Sequence, residues 1–236
     1  MSKMNKSLLN FGLNILLSKI NTQEAKPEAS TIPELGDVSP VLSLRQKEGA
    51  VVVVLGRRGS GKTILCQRLA EIIGRPVYAV SPEETPPKWI TELQPTQLEE
   101  LPPTWSTLYL DDIPSYMSSR DYSDIFVRQV ETMIPMVRHR RKLILIFAAQ
   151  LASQADKYVL DADLVILKAP SILYADVERA GVKKLQDRAM QHWKGRTDRW
   201  LQRHCYIVSH LGEGLVRVNL PKVQVGVEAN HNMAQG

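Results

Sequence analysis

Residues 50–63 read AVVVVLGRRGSGKT, and this stretch decides the fold. The run from Ala50 to Leu55 is continuously apolar and mostly β-branched, which is typical of a strand buried on both faces of a parallel sheet. The segment from Gly56 to Thr63 matches G-x-x-x-x-G-K-[ST], and an apolar-periodic pattern from about Lys62 to Ile73 follows it. The stretch therefore predicts a strand, a tight loop and a helix in direct succession.

The same alternation continues along the chain. Apolar runs predict strands at 76–81, 106–112, 143–150 and 163–168, and helical periodicity predicts helices at about 126–137 and 172–193, with a weak helix at 91–101. The segments CYIVS and LVRVN, separated by HLGEG, predict a closing β-hairpin. Together these elements predict an α/β fold, a mostly parallel sheet flanked by helices, with a C-terminal β-hairpin.

The ends of the chain differ from its middle. Residues 1–20 predict an amphipathic helix, 21–48 a proline-containing tether, 49–221 the folded domain and 222–236 a disordered tail. The helix interrupts its apolar stretch with polar residues, so a signal peptide is disfavoured; it would dock on protein or lie on a membrane surface. No apolar run approaches the ~20 residues that would cross a bilayer.

Composition bounds the possible classes of protein. Over 236 residues, 44% are hydrophobic and 23% are charged, which excludes a wholly disordered or collagen-like chain. Two distant cysteines indicate neither a disulfide framework nor a cysteine-rich zinc site and favour a reducing cytoplasm, in a cell or a virus-infected host. A net charge of +5 permits nucleic acid or anionic membrane as a partner without requiring either.

The glycine-rich loop predicts a phosphate site. Glycines let the backbone wrap closely, so that successive N–H groups and the helix N-terminus meet the phosphates. We expect Lys62 to reach the β- and γ-phosphates and Thr63 to bind Mg²⁺. The complete set of expected nucleotide contacts is Gly56, Arg57, Arg58, Gly59, Ser60, Gly61, Lys62, Thr63 and Cys66.

Polar residues end two of the predicted strands. Asp111 is placed to hold Mg²⁺ through water, and Asp112 to polarise an attacking water, although two aspartates after a strand also occur in simple turns. Gln150 ends another strand, where its amide could sense the γ-phosphate or cap the strand. Neither NKxD nor a DxxG after the third strand occurs, so ATP is favoured over GTP.

Three motifs in order, GRRGSGKT, LYLDD and HRRKLILIFAAQ, resemble those of the additional-strand P-loop ATPases of the FtsK–HerA superfamily. The likeness is greatest to viral genome-packaging ATPases and zonular-occludens-toxin-like phage assembly proteins, and it covers about 49–168. It implies a RecA-like core in which the Gln150 strand lies between the P-loop and Asp111 strands. It also implies a DNA-moving ring, typically a hexamer, with Arg138, Arg140 or Arg141 acting at a neighbour's γ-phosphate. The family usually has Asp-Glu where this chain has Asp111 and Asp112.

A basic stretch lies near the C-terminus. Between residues 179 and 203 there are eight basic and two acidic side chains, a surplus of +6. The stretch is either a solvated face or a contact for DNA phosphates, for which the candidates are Lys183, Lys184, Arg188, Lys194 and Arg196. Trp193 and Trp200 could stack on bases, but core or subunit packing is the simpler interpretation.

These observations leave three functions open. The first is an ATP-hydrolysing ring that translocates double-stranded DNA, with viral genome packaging as the favoured setting and capsid or membrane proteins as further partners. The second is an ATP-dependent, membrane-associated assembly factor or loader that does not translocate. The third is a small-molecule kinase, which is disfavoured because no arginine-rich lid segment is evident.

Overall fold

A computed structural model describes residues 32–80, 86–94, 102–111, 137, 142–150, 162–170 and 180–219 of the chain. Eight strands lie in these ranges: β1 Ala50–Leu55, β2 Val77–Val80, β3 Ile90–Glu92, β4 Thr107–Leu110, β5 Ile144–Ala149, β6 Leu164–Leu167, β7 His204–Ser209 and β8 Gly212–Arg217. The helices are α1 Ser39–Leu42, α2 Lys62–Ile73, α3 Ala180–Trp193 and α4 Asp198–Gln202.

The described strands form one sheet in the order β3-β2-β4-β5-β1-β6-β7-β8. Strands β1 to β6 pair in parallel, whereas β7 and β8 are antiparallel and close one edge as a hairpin. The α/β class and its C-terminal hairpin are therefore confirmed. Strand β5 lies between β1 and β4, which is the additional-strand order that the motifs imply.

The two faces of the sheet carry separate apolar cores. In β1, Val52 and Val54 face a core that also contains Leu65 and Leu69 of α2. The alternate residues of β1 face a second core, which includes Trp193 of α3. Because successive strand residues point to opposite faces, the unbroken valine run of β1 fills both cores at once. Because strands β1 to β6 are parallel, their carboxyl ends meet at one edge of the sheet, beside the start of α2.

Residues 33–48 differ from the predicted tether. They form two 3₁₀ turns, Leu35–Asp37 and Ser43–Arg45, on either side of α1, and Leu35, Val41 and Leu44 are buried in the core on the α2 face. The prolines and the small number of apolar residues predicted a tether. In the fold, however, three buried apolar side chains dock the segment on the core. Only residues 21–31 of the tether lie outside the described ranges.

Two more predictions need correction. The weak helix at 91–101 is wrong at its start, because Ile90–Glu92 is strand β3, paired with β2. The hairpin turn is also shorter than predicted: Ser209 pairs with Gly212, so the turn consists of His210 and Leu211. The glycines of HLGEG suggested a loop, but the residues from Gly212 onward belong to β8.

Some predicted elements fall outside the described ranges. These are the N-terminal helix at 1–20, the tail at 222–236, the start of the 172–193 helix and nearly all of the 126–137 helix. Among the helices that the structure does describe, none combines the length and apolarity needed to cross a bilayer.

Candidate nucleotide site

The glycine-rich loop joins β1 to α2 at the carboxyl edge of the sheet. Gly59 and Gly61 have positive φ values of 72° and 83°, a conformation that side-chain-bearing residues rarely adopt. Gly61 is the N-cap of α2, and the Ser60 N–H donates to the Arg57 carbonyl at 3.2 Å. The loop therefore turns back on itself and presents the first N–H groups of α2 at its opening, the arrangement expected for a phosphate site.

Thr63 and Asp111 meet beside this loop. The Thr63 hydroxyl donates to Asp111 Oδ2 at 2.8 Å, which joins the first turn of α2 to the residue after β4. A hydroxyl and a carboxylate this close are hard oxygen ligands of the kind that Mg²⁺ prefers. The two residues therefore fit a Mg²⁺ ion bound with a nucleotide.

Tyr109 lies on the same face of β4 as Asp111, two residues earlier. Its side chain is buried, and burial, then the nearby Cys66 and Asp111, raise the pKa of its phenol well above the usual value. Tyr109 therefore stays neutral beneath the Thr63–Asp111 pair. Sequence reasoning missed it, because a tyrosine within a buried strand ordinarily indicates core packing.

Lys62 and Gln150 border the loop as predicted. Lys62 is buried, and its Nζ donates to the Arg57 carbonyl at 3.2 Å, so its charge lies inside the loop. The Gly56 N–H donates to the Ala149 carbonyl at 3.2 Å, which places the end of β5 against the start of the loop. Gln150, the next residue, therefore lies beside the loop.

Cys66 is not available as a nucleotide contact, which corrects the predicted set. It lies one turn after Thr63 in α2, has no exposed surface and belongs to the apolar core. Burial, followed by the charge of Asp111, raises the pKa of its thiol well above the usual value. The helical period brings residue 66 to the sheet side of α2, so its contribution is packing.

Lys168, at the end of β6, is a central residue that sequence reasoning missed. It is 1% exposed, and its Nζ donates to the carbonyls of Leu201 at 3.2 Å, Gln202 at 2.6 Å and His204 at 2.9 Å. The ammonium group thereby donates to carbonyls at the end of α4 and at the start of β7. A lysine closing an otherwise apolar run, LVILK, was the available signal.

The outer side of the loop also touches α4. Arg57 forms an ion pair with Asp198, and Gln202 Nε2 donates to the Gly59 carbonyl at 3.4 Å. Lys168 lies directly behind the loop, since a Cβ added to Gly56 would be 2.6 Å from Lys168 Cβ. The loop is therefore held between β6 and α4, both of which follow it by a hundred residues or more in the chain.

The contact at Gly56 predicts a loss of stability for Gly56→Ala. The new Cβ would also lie 2.9 Å from Ser60 Oγ and 3.3 Å from the Lys168 backbone, which cannot move aside without disturbing β6. We expect overpacking to cost about 1–3 kcal/mol, measured by urea unfolding. Gly181→Ala, with nothing within 4 Å of its added Cβ, is the matched control. Equal stability of the two variants would contradict this packing.

Lys168 predicts a specific pH dependence of stability. Burial lowers its pKa from 10.5 to about 8, so between these values the unfolded chain binds more protons than the folded one. The free energy of unfolding should therefore rise with pH from about 8 to 10.5, by roughly 3 kcal/mol more than in Lys168→Met. Urea titrations of both proteins across that range measure the difference. Parallel pH profiles would show that the fold does not lower the pKa of Lys168.

The basic stretch divides between two environments. On α3, Lys183, Lys184 and Arg188 are exposed, and Arg188 pairs with Glu213 of β8 at 2.7 Å. Lys194 and Arg196 are exposed in the turn after α3. The five predicted DNA-contact residues therefore lie along one helix and the turn that follows it.

The tryptophans of this stretch pack against protein, as the simpler interpretation predicts. Trp193 is 5% exposed in the core beneath α3. Trp200 stacks on His204 with ring centroids 3.8 Å apart, and the guanidinium of Arg196 lies 4.9 Å from its centroid. These contacts assign both rings to packing in the folded chain.

Other predicted site residues lie outside the described ranges. They are Asp112, Arg138, Arg140 and Arg141. The structure therefore brings the loop, Thr63, Asp111 and Gln150 together at one edge of the sheet. The water-polarising role of Asp112 and the role of the arginines stay predictions.

Comparison with known proteins finds matches among solved structures. No protein-family model and no curated protein matches the chain. Among solved structures, the DNA-packaging ATPase B204 from Sulfolobus Turreted Icosahedral Virus is 13% identical, with a TM-score of 0.47 over 73% of this chain and 98% of that one. The cytoplasmic domain of the Thermomonospora curvata type VII secretion ATPase EccC is 15% identical, with a TM-score of 0.49 over 74% of this chain and 24% of that one. The fold assigned to the present chain rests on its own strand order and phosphate loop: it is a P-loop NTPase core of the additional-strand type.

Proposed function

We propose that this chain is an ATP-hydrolysing motor that moves double-stranded DNA as a ring, with viral genome packaging as its setting. The single observation that carries the proposal is the contact of Thr63 with Asp111, 2.8 Å apart, beside the glycine-rich loop. This contact puts two oxygen ligands beside the glycine-rich loop, at the same edge of one sheet, which supports a cation site next to a phosphate site. Binding of a Mg²⁺ nucleotide is the chemistry for which such an arrangement is suited.

The residues of the site have separate tasks in this proposal. The loop N–H groups and Lys62 hold the phosphates, and Thr63 and Asp111 hold Mg²⁺, which when bound neutralises phosphate charge. Asp112 would accept a proton from the attacking water, and Gln150 would orient that water. Asp112 has a shorter side chain than the glutamate usual in this family, so we expect slow hydrolysis in the absence of DNA.

Assembly would complete the site. In a ring, one of Arg138, Arg140 and Arg141 would reach the γ-phosphate bound by the neighbouring subunit and stabilise charge that develops in the transition state. A variant lacking the active arginine, mixed with Lys62→Ala chains, should then regain hydrolysis in mixed rings. Absence of rescue in confirmed mixed assemblies would argue that the arginine does not act in trans.

DNA contact would come from the basic helix α3 and the turn after it. Exposed Lys183 and Lys184, with Arg188 one turn further on, form a row of charge that suits a phosphate backbone and reads no base. Such binding releases condensed counterions, so affinity should fall steeply with salt and depend little on DNA sequence.

The triple variant Lys183→Gln, Lys184→Gln, Arg188→Gln tests this surface. Each lost phosphate contact should flatten the slope of log affinity against log salt by about 0.9, equally on unrelated duplexes, as measured by fluorescence anisotropy. Lys142→Gln, which removes an exposed cation at the opposite sheet edge, is the control. Unchanged affinity of the triple variant across the salt series would make α3 a solvated face and remove the structural support for a DNA substrate.

A membrane-associated loader or assembly factor is the second candidate. The observation that favours it is the amphipathic pattern at 1–20, which suits a peripheral anchor. Such a protein would bind ATP at the same site without DNA stimulation. Sedimentation with anionic vesicles would support it if removal of residues 1–20 abolished binding.

A further inference from the structure

A cavity of about 590 Å³ opens beside the phosphate loop. It lies between the start of α2, helix α4 and the residues that end and follow β8. Its volume is within the range of sites that hold a small organic molecule, roughly 300–1,000 Å³. The residues that line it are Gly61, Ile64, Arg199, Gln202, Arg203, Arg217, Val218 and Asn219.

The cavity shares its wall with the loop that holds the phosphates. Gly61 is the last loop residue, and Ile64 lies in the first turn of α2, immediately after Lys62 and Thr63. A nucleotide whose phosphates occupy the loop would therefore have this cavity within reach of its remaining half. Ile64 and the buried Val218 add apolar surface of the kind that a planar ring covers.

Two arginines of this cavity have their charged ends available. Arg217 and Asn219 are engaged with Glu34, and Gln202 donates to the Gly59 carbonyl. Arg199 and Arg203 are exposed, and neither guanidinium has a hydrogen bond or ion pair with another residue in the part of the chain described. A guanidinium is planar and stacks on aromatic rings, while its fork of N–H groups binds oxygen acceptors.

We propose that Arg199 and Arg203 bind the nucleoside half of the nucleotide held by the same chain, stacking on the base and contacting the ribose. The inference rests on the proposed ATP site and adds its nucleoside-binding residues. It also divides the basic stretch. The basic side chains of α3 face solvent, whereas Arg199 of α4 and Arg203 just after it serve the nucleotide. Stacking on the plane of a base does not distinguish one base from another, because every base has a π-face.

Comparing ADP with pyrophosphate tests the inference, because pyrophosphate occupies the loop without a nucleoside. Affinities of both, with Mg²⁺, are measured by calorimetry on the full chain, its Arg199→Gln and Arg203→Gln variants and the double variant. We expect the double variant to bind ADP at least tenfold more weakly and pyrophosphate within about threefold of the parent chain. Lys142→Gln, which loses the same charge as either single variant but at the far sheet edge, should leave the affinities for both ligands unchanged.

Other outcomes are equally informative. Unchanged ADP affinity in the double variant would overturn the assignment of the arginines. Equal weakening of ADP and pyrophosphate would overturn it too, because the arginines would then act on the phosphates. Equal affinity of the parent chain for both ligands would exclude a nucleoside subsite while leaving ATP hydrolysis intact, whereas binding of neither ligand would overturn the proposed function itself.

Discussion

Replacing Lys62 by alanine is expected to lower kcat/KM for ATP by at least about a thousandfold, equivalent to roughly 4 kcal/mol of transition-state stabilisation. The side chain is buried inside the loop, where its charge would meet the phosphates of a bound nucleotide. A charge placed in a protected site interacts with a phosphate far more strongly than one in water. Phosphate release by purified protein measures the loss.

The fold should survive this change. Gly59 and Gly61 set the loop backbone. The Lys62 side chain donates to the Arg57 carbonyl, but the Ser60 N–H donates to the same carbonyl and remains when that side chain is removed. Circular dichroism and the thermal midpoint should therefore stay close to those of the parent. Lys142→Gln should hydrolyse ATP normally, since an exposed ion pair with Glu48 contributes little. Undiminished hydrolysis by Lys62→Ala would remove the loop from the active site.

The second large effect is expected for Asp111→Asn. The amide keeps the size of the side chain and can still accept from Thr63, but it lacks the negative charge that holds a divalent cation. Turnover at saturating ATP should fall by about a hundredfold or more, and the Mg²⁺ concentration for half-maximal rate should rise. Phosphate release across a Mg²⁺ titration measures both.

Two comparisons make this assignment specific. Glu48→Gln removes a carboxylate from an exposed pair at the opposite sheet edge and should leave the Mg²⁺ profile unchanged. Nucleotide binding measured without metal should be similar in Asp111→Asn and the parent chain. A normal Mg²⁺ profile for Asp111→Asn, with Asp112→Asn showing the defect instead, would mean that the roles of the two acids are exchanged.

Local patterns predicted the centre of this fold well. Strand β1 and helix α2 have the bounds expected, Ala50–Leu55 and Lys62–Ile73, because an unbroken valine run and a glycine-flanked helix start are strong local signals. The position of β5 between β1 and β4 could not come from periodicity. It followed from the motif resemblance, since strand order depends on contacts between distant segments.

The errors share a physical cause. The 33–48 segment and β3 are short, and each is held by a few contacts with distant residues, which composition does not report. At Gly212 the glycine itself predicts a loop, but pairing with Ser209 makes this residue the start of strand β8. Tertiary pairing decided these segments against their local preference.

Long-range contacts also explain what sequence reasoning missed in the site. Lys168 reaches the α4 carbonyls, and Arg57 reaches Asp198, across 33 and 141 positions of chain respectively. Charge counting placed Arg199 and Arg203 with the DNA-contact stretch, whereas both line the cavity beside Gly61. The role of such side chains follows from which element packs beside them, and this required the structure.

The most direct test of a DNA-driven motor is the steady-state rate of ATP hydrolysis by the purified parent chain, with Mg²⁺, as linear double-stranded DNA is added. The account predicts a slow basal rate that rises several-fold and saturates with DNA, on an assembly whose native mass is that of a ring. It predicts no such rise in the Lys183, Lys184, Arg188 triple variant at moderate salt. Hydrolysis that is indifferent to DNA at every concentration, by a chain that stays monomeric, would contradict the motor.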